Sequence, residues 1–108
     1  NSLSVDEFHF DQNWINFQSR KASGLNGEFS PTQQELELLK VFVQNINVPL
    51  ERKVILKAAF HYTDETETRT LDNFIVRFRK YFEVDPKRPK YFKSVRSVGY
   101  IFEVNSKN

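Results

Sequence analysis

Asn73 and Arg77 stand one helical turn apart and carry side chains suited to reading nucleic-acid bases. On a wheel of about 100° per residue, Leu71, Ile75, Phe78 and Phe82 fall in a narrow stripe. Asn73, Val76, Arg77 and Lys80 fall on the opposite side. An exposed arginine can bridge O6 and N7 of guanine, and an asparagine can pair with adenine. The plainer alternative is an ordinary solvated pair. A second candidate is Arg96, in the segment Arg96-Ser97-Val98-Gly99 between two β-rich stretches. An arginine on a narrow ribbon suits a minor groove, where negative potential rises as the groove narrows.

Other chemistries find little support. His9 and His61 are the only histidines, lie in different elements and make no metal or nucleophile spacing. Asp64, Glu65 and Glu67 lack the glycine and ligand spacing of a calcium loop, so a solvated loop is the better reading. The absence of cysteine removes disulfide, zinc-finger and iron–sulfur readings. The chain reads as no enzyme, and no cofactor or metal is implied. No apolar run approaches the roughly 20 residues of a membrane span, so a soluble protein without a membrane partner is expected. The lack of any methionine marks the chain as a piece of something longer, whose N-terminal part would regulate it.

Charge is segregated behind a net +2. Residues 1–68 hold six Lys/Arg against ten Asp/Glu, net −4, whereas residues 69–108 hold ten against four, net +6. A cationic half is what a phosphate backbone selects, because neutralised phosphates release counterions. A solvated face is the competing reading of charge alone. The 39% hydrophobic content, with 11 phenylalanines among 108 residues, predicts one packed domain over residues 1–108.

Short alternating segments, Val5/Phe8/Phe10 and Trp14/Ile15/Phe17, predict a small antiparallel sheet within residues 1–30. Trp14 and the nearby phenylalanines are expected to seat that sheet on helices. Thr32 followed by Glu35 forms a capping box, and Leu36, Leu39, Phe42, Val43 and Ile46 recur at helical spacing, so a first helix is expected over about Thr32–Asn45. Pro49 breaks the chain before a short second helix, Glu51–Phe60, with Val54, Ile55, Leu56, Ala59 and Phe60 as its apolar residues. His61–Thr68 reads as a loop, and the third helix then runs to Phe82. Asp85-Pro86 and Arg88-Pro89 make an extended connector. A hairpin follows over residues 91–104, with Gly99 available for a positive φ. Sheet, three helices and hairpin make an α+β winged helix-turn-helix.

The segment RTLDNFIVRFRKYFEVDPKRPKYFKSVRSVGYIF, from Arg69 to Phe102, closely resembles the end of the OmpR/PhoB-type response-regulator DNA-binding domain. That signature runs R-T-V-D-x-x-I-x-x-L-R-K-x-L, an acidic-Pro connector, then T-V-R-G-x-G-Y. Thr32 to Leu39 is similar, more weakly, to the family's first helix, and Pro49 to Lys53 with Phe60 to its second. The resemblance implies phosphate contacts from Arg69, Thr70, Arg79 and Lys80, and backbone contacts from the wing residues Ser94 and Tyr100. Arg79 has a rival role in pairing with an acid such as Asp72 or Glu83. Tyr100 could simply pack its ring and hydrogen-bond its hydroxyl.

Several positions depart from the pattern. Phe74 stands where the family often has His or another polar residue, Val76 where it often has a basic one, and Phe78 where Leu is usual. Ser94 replaces Thr, and Ser97 replaces a glycine, so a positive φ there would strain it. The resemblance implies a sequence-specific double-stranded DNA-binding effector domain of a bacterial two-component response regulator in the cytoplasm. It also implies a phosphorylatable receiver domain ahead of it, tandem dimers on direct repeats, and a contact with RNA polymerase through His61–Thr68. The rival is a winged helix that docks a protein through its third helix. The +6 half and Arg96 speak against that rival, while Phe74 and Val76 speak for it.

Overall fold

The computed structural model describes residues 7–60 and 68–104, except the side chains of Thr68 and Arg69. The loop expected over His61–Thr68, including Asp64, Glu65 and Glu67, lies outside the described residues except for Thr68, which opens a helix.

Four short strands, β1 (Glu7–Phe10), β2 (Asn13–Asn16), β3 (Lys21–Gly24) and β4 (Gly27–Phe29), form an antiparallel meander in chain order. Successive side chains alternate between faces, and the register aligns Phe8, Ile15, Ala22 and Phe29 across the sheet. Phe10, Ile15 and Ala22 are buried on that face, with Phe8 and Phe29 packed beside them. Trp14 departs from expectation. It pairs with His9 and Ser23 on the opposite face and is half-buried, outside the core, because its neighbour Ile15 takes the inward position.

Helix α1 spans Gln33–Gln44 with Thr32 as its N-cap. The capping box is complete: Glu35 N–H donates to Thr32 Oγ1 at 3.1 Å, and Thr32 N–H donates to Glu35 Oε1 at 2.9 Å. Before α2 (Arg52–Phe60) lies a two-residue strand, β5 (Leu50–Glu51), that the sequence pattern does not announce. Two residues are too few for a periodicity. Ile55, Leu56 and Ala59 of α2 are buried, whereas Val54, expected among its apolar residues, is exposed.

Helix α3 (Thr68–Phe82) is followed by the hairpin of β6 (Phe92–Val95) and β7 (Gly99–Phe102), and the second sheet has the order β5-β7-β6. Gly99 serves β5 through close approach, not through a positive φ. A Cβ there would lie 2.3 Å from the Leu50 carbonyl oxygen. The positive φ falls instead on Ser97, at 68°.

Aromatic rings join these layers. Phe92 and Phe102 of the hairpin stack at 4.8 Å, Phe92 meets Phe42 of α1 at 5.7 Å and Phe78 of α3 at 5.3 Å, and Phe10 of β1 meets Phe82 of α3 at 5.2 Å. Each such pair adds about 0.5–1.5 kcal/mol beyond its area burial, so the base of the hairpin is held against the helices. The connector after α3 is pinned by Glu83, whose buried carboxylate accepts backbone N–H groups from Lys90, Tyr91 and Phe92 at 2.6, 2.8 and 2.8 Å. The Tyr91 hydroxyl donates to Asp11 of the first sheet. That bond holds the Asp11 carboxyl below its usual range, while burial, then Asp11, pushes the Tyr91 hydroxyl up.

Candidate nucleic-acid interface

The two faces of α3 separate as the wheel predicts. Leu71, Ile75, Phe78 and Phe82 are buried, and Asn73, Val76, Arg77 and Lys80 are exposed. Phe74 belongs to the core side. It is 6% exposed and lies between Phe60 and Phe78 at 6.1 and 6.3 Å. The polarity absent at this position is therefore not absent from the outward face, and the case it made for a protein-docking helix weakens. Val76, in contrast, is 50% exposed.

One flank of α3 is tied to α1. The Tyr81 hydroxyl donates to Glu35 Oε2 at 2.9 Å, and Arg77 approaches the same oxygen at 3.5 Å with its guanidinium 5.2 Å above the Phe74 ring. Glu35 is 1% exposed, and its other oxygen already caps α1. Burial, then the Glu35 carboxylate, pushes the Tyr81 hydroxyl up. A buried carboxylate is tolerated only when its lone pairs are satisfied, and here that need orients Arg77. The outer part of the arginine stays in solvent, with a side-chain exposure of 55%.

The other flank is tied to the hairpin. Arg79 donates through Nε to the Phe92 carbonyl oxygen at 2.9 Å and through a terminal nitrogen to Ser94 Oγ at 3.2 Å. The acids offered as rival partners are committed elsewhere: Glu83 to backbone N–H groups, Asp72 to a different pair. Asp72 Oδ1 accepts from the Tyr100 hydroxyl at 2.5 Å and from Arg52 Nε at 3.2 Å. The Arg52 guanidinium lies 5.2 Å from the Tyr100 ring centroid. Burial, then Asp72, pushes the Tyr100 hydroxyl up, and the bond to Asp72 raises the Arg52 guanidinium further. Tyr100 is thus a buried, hydrogen-bonded residue whose ring sits at the base of the hairpin.

Arg96 is exposed in the turn that links β6 to β7, where Val98 N–H donates to the Val95 carbonyl at 3.0 Å. A positive φ at the third residue of such a turn normally selects glycine, and Ser97 occupies it. Thr70 lies in the first turn of α3 and is half-buried. Arg69 precedes it on the helix, with its side chain outside the described residues.

Folding thus brings Arg77, Arg79, Lys80, Ser94 and Tyr100 onto or beside α3 and leaves Arg96 at the tip of the hairpin. Sequence reasoning missed Arg52 and Asp72 as a linked pair, and read Glu35 only as a cap. The partners lie 20 residues apart for Arg52 and Asp72 and 42 apart for Glu35 and Arg77, beyond any helical or strand period. Among the described residues, no group of three His, Cys, Asp or Glu side chains is placed to hold a metal, and no helix is long and apolar enough to cross a membrane.

Three helices, the last with an outward polar face and a three-stranded antiparallel sheet ending in a basic turn, define a winged helix-turn-helix. The family model described as transcriptional regulatory protein, C terminal, matches residues 26–102, and the chain belongs to that family. It is 33% identical over 88 residues to the regulatory protein VirG of Agrobacterium tumefaciens, a match that covers 82% of this chain and 33% of VirG. The chain therefore spans about a third of the length of that relative. The C-terminal effector domain of BfmR from Acinetobacter baumannii superposes with a TM-score of 0.74 at 31% identity, covering 95% of this chain and 94% of that one. The DNA-binding domain of Klebsiella pneumoniae RstA, solved in complex with the RstA box, superposes with a TM-score of 0.77 at 22% identity, covering 90% and 96%.

Proposed function

We propose that this chain is the sequence-specific double-stranded DNA-binding effector domain of a two-component response regulator, with α3 in a major groove and the hairpin against the neighbouring minor groove. The observation that carries the reading is the outward face of α3, with Asn73, Arg77 and Lys80, flanked by a hairpin that Arg79 and Asp72 hold in place. Membership of a transcriptional regulatory family supports it, as does the fold shared with the RstA DNA-binding domain, which was solved in complex with the RstA box.

In this reading Arg77 and Asn73 meet base edges, while Lys80, Arg69 and Thr70 hold phosphates. Arg79 and Tyr100 act chiefly by fixing the hairpin, with Ser94 at the phosphate side of that junction, and Arg96 enters the minor groove. Residues 1–108 act as one domain with no catalytic role, in the bacterial cytoplasm. The remainder of the full protein supplies a receiver domain, pairs of copies bind direct repeats head to tail, and residues 61–68 meet RNA polymerase.

Binding to duplexes selected from a random pool tests the reading. Affinity is expected to fall steeply with salt, because several Lys/Arg side chains displace condensed counterions. Arg77→Ala is expected to relax preference at one base pair of each half-site by about 1–3 kcal/mol, while Lys80→Ala weakens all sequences alike. No binding at low salt would overturn the proposal in favour of a protein-docking helix. Equal losses on selected and random DNA would make Arg77 a backbone contact.

A further inference from the structure

We propose that Val76 recognises the C5-methyl group of a thymine, so that one position of the bound site is read by an apolar contact on the hairpin side of the bases met by Arg77. The proposal rests on the DNA-binding reading above and adds a residue and a chemistry to it. Val76 is 50% exposed on α3. Its neighbours one turn away on the helix are Asp72, Asn73, Arg79 and Lys80, all polar.

Two of those neighbours cannot fold over it. Asp72 is held by Tyr100 and Arg52, and Arg79 by Phe92 and Ser94. Arg77, which follows Val76, is drawn the other way, toward Glu35 and the Phe74 ring. On the outward face of α3, Arg77 therefore leans toward α1, and Val76 is left as an apolar spot next to the charged pair, Asp72 and Arg79, that ties the helix to the hairpin. Among the described residues, the remaining exposed large hydrophobics, Leu25, Val48, Val54, Val84 and Val98, lie on other elements or turns.

The floor of a major groove presents hydrogen-bond donors and acceptors, and its apolar feature is the thymine methyl. Valine cannot satisfy a donor or an acceptor, so over any other base its two methyl groups would displace water without replacing its hydrogen bonds. Over thymine they bury apolar surface. A β-branched side chain in a helix is nearly restricted to one χ1 rotamer, so those methyl groups are already in place and little side-chain freedom is lost on contact. A lone exposed valine has no meaning by itself. It acquires one by standing beside Asn73, Arg77 and Lys80 on a face otherwise suited to base edges and phosphates.

Deoxyuridine differs from thymidine only by lacking the methyl group, and so isolates the contact. Sites enriched from random duplexes by this chain would be remade with each thymine in turn replaced by deoxyuridine. Dissociation constants would then be measured for the unaltered chain, Val76→Ser and Val76→Thr. One replacement is expected to weaken the unaltered chain about three- to fivefold, to leave Val76→Ser unaffected, and to weaken Val76→Thr, which keeps a methyl group. Melting temperatures of both variants should stay close to that of the parent, since the position is half-exposed. If the unaltered chain binds its site but Val76→Ser shows the same sensitivity at every thymine, the methyl contact is wrong and the DNA-binding reading stands. Failure of the unaltered chain to enrich any duplex would overturn that underlying reading instead.

Discussion

Helix α3 is anchored on both flanks by a carboxylate, and the two anchors are built differently. Toward α1 the anchor is Glu35, buried and shared among the N-terminus of α1, Tyr81 and Arg77. Toward the hairpin it is Asp72, whose side chain is 45% exposed and which joins Tyr100 to Arg52. Each brings together groups remote in sequence, but water competes for one and not for the other. A buried carboxylate deprived of partners, or partners deprived of it, pays a desolvation penalty that solvent cannot relieve. An exposed pair is screened and contributes little to stability. The first anchor is therefore expected to matter most for stability, and the second for holding the hairpin against α3.

The largest effect is expected at Glu35. Glu35→Ala removes the capping box and leaves the Tyr81 hydroxyl without its acceptor, which should destabilise the chain by about 3 kcal/mol. Thermal denaturation should show a drop on the order of 10 °C. A shift of only a degree or two would mean that Tyr81 and the helix terminus find water instead, and the distinction between the anchors would collapse.

Asp72→Ala is expected to act in the opposite proportion. Stability should fall by only about 1 kcal/mol, the net worth of a hydrogen bond to the Tyr100 hydroxyl. Affinity for selected duplexes should fall severalfold, because the hairpin is no longer held in register with α3. Denaturation and binding measured on the same preparation give the ratio of the two effects. A stability loss matching that of Glu35→Ala, with binding unchanged, would reverse the assignment.

The smallest effect sharpens the hairpin side of the comparison. Ser97 holds a φ of 68°, a conformation disfavoured by about 1–2 kcal/mol for an L-residue with a Cβ. Ser97→Gly should therefore stabilise the chain by about 0.5 kcal/mol, part of the relief being offset by the greater freedom of glycine in the unfolded chain. Chemical denaturation resolves the sign, and a loss of stability would show that Ser97 makes a contact worth more than its backbone strain.

The order of elements apart from β5, the limits of α1 and the two faces of α3 were legible in residue spacing. The reason is local: a capping box, a 3.6-residue stripe and a proline act within a few residues of themselves. Thr32 and Glu35 reach each other because they are one turn apart, and Leu71, Ile75, Phe78 and Phe82 share a face for the same reason. The motif from Arg69 to Phe102 likewise spans most of α3, the connector and the hairpin.

What spacing could not reveal depended on which elements met. Trp14 and Ile15 are equally apolar neighbours, and only the placement of the first sheet against the helices decided that Ile15 faces inward. Phe74 reads in the sequence as a lost polar contact, yet Phe60 and Phe78 enclose it in the core. The requirement for a glycine at position 99 comes from the Leu50 carbonyl, nearly fifty residues away in the chain. The same holds for Arg79, read in the sequence as a phosphate contact or a partner for an acid: Glu83 and Asp72 are taken by other groups, and its guanidinium meets Phe92 and Ser94 of the hairpin. Residue type and spacing fix which residues are apolar, charged or turn-forming, and with them the three helices, the hairpin and the two faces of α3. Tertiary structure decided the partner of each charge, because a hydrogen bond is made by groups that packing brings within about 3 Å, whatever their separation along the chain.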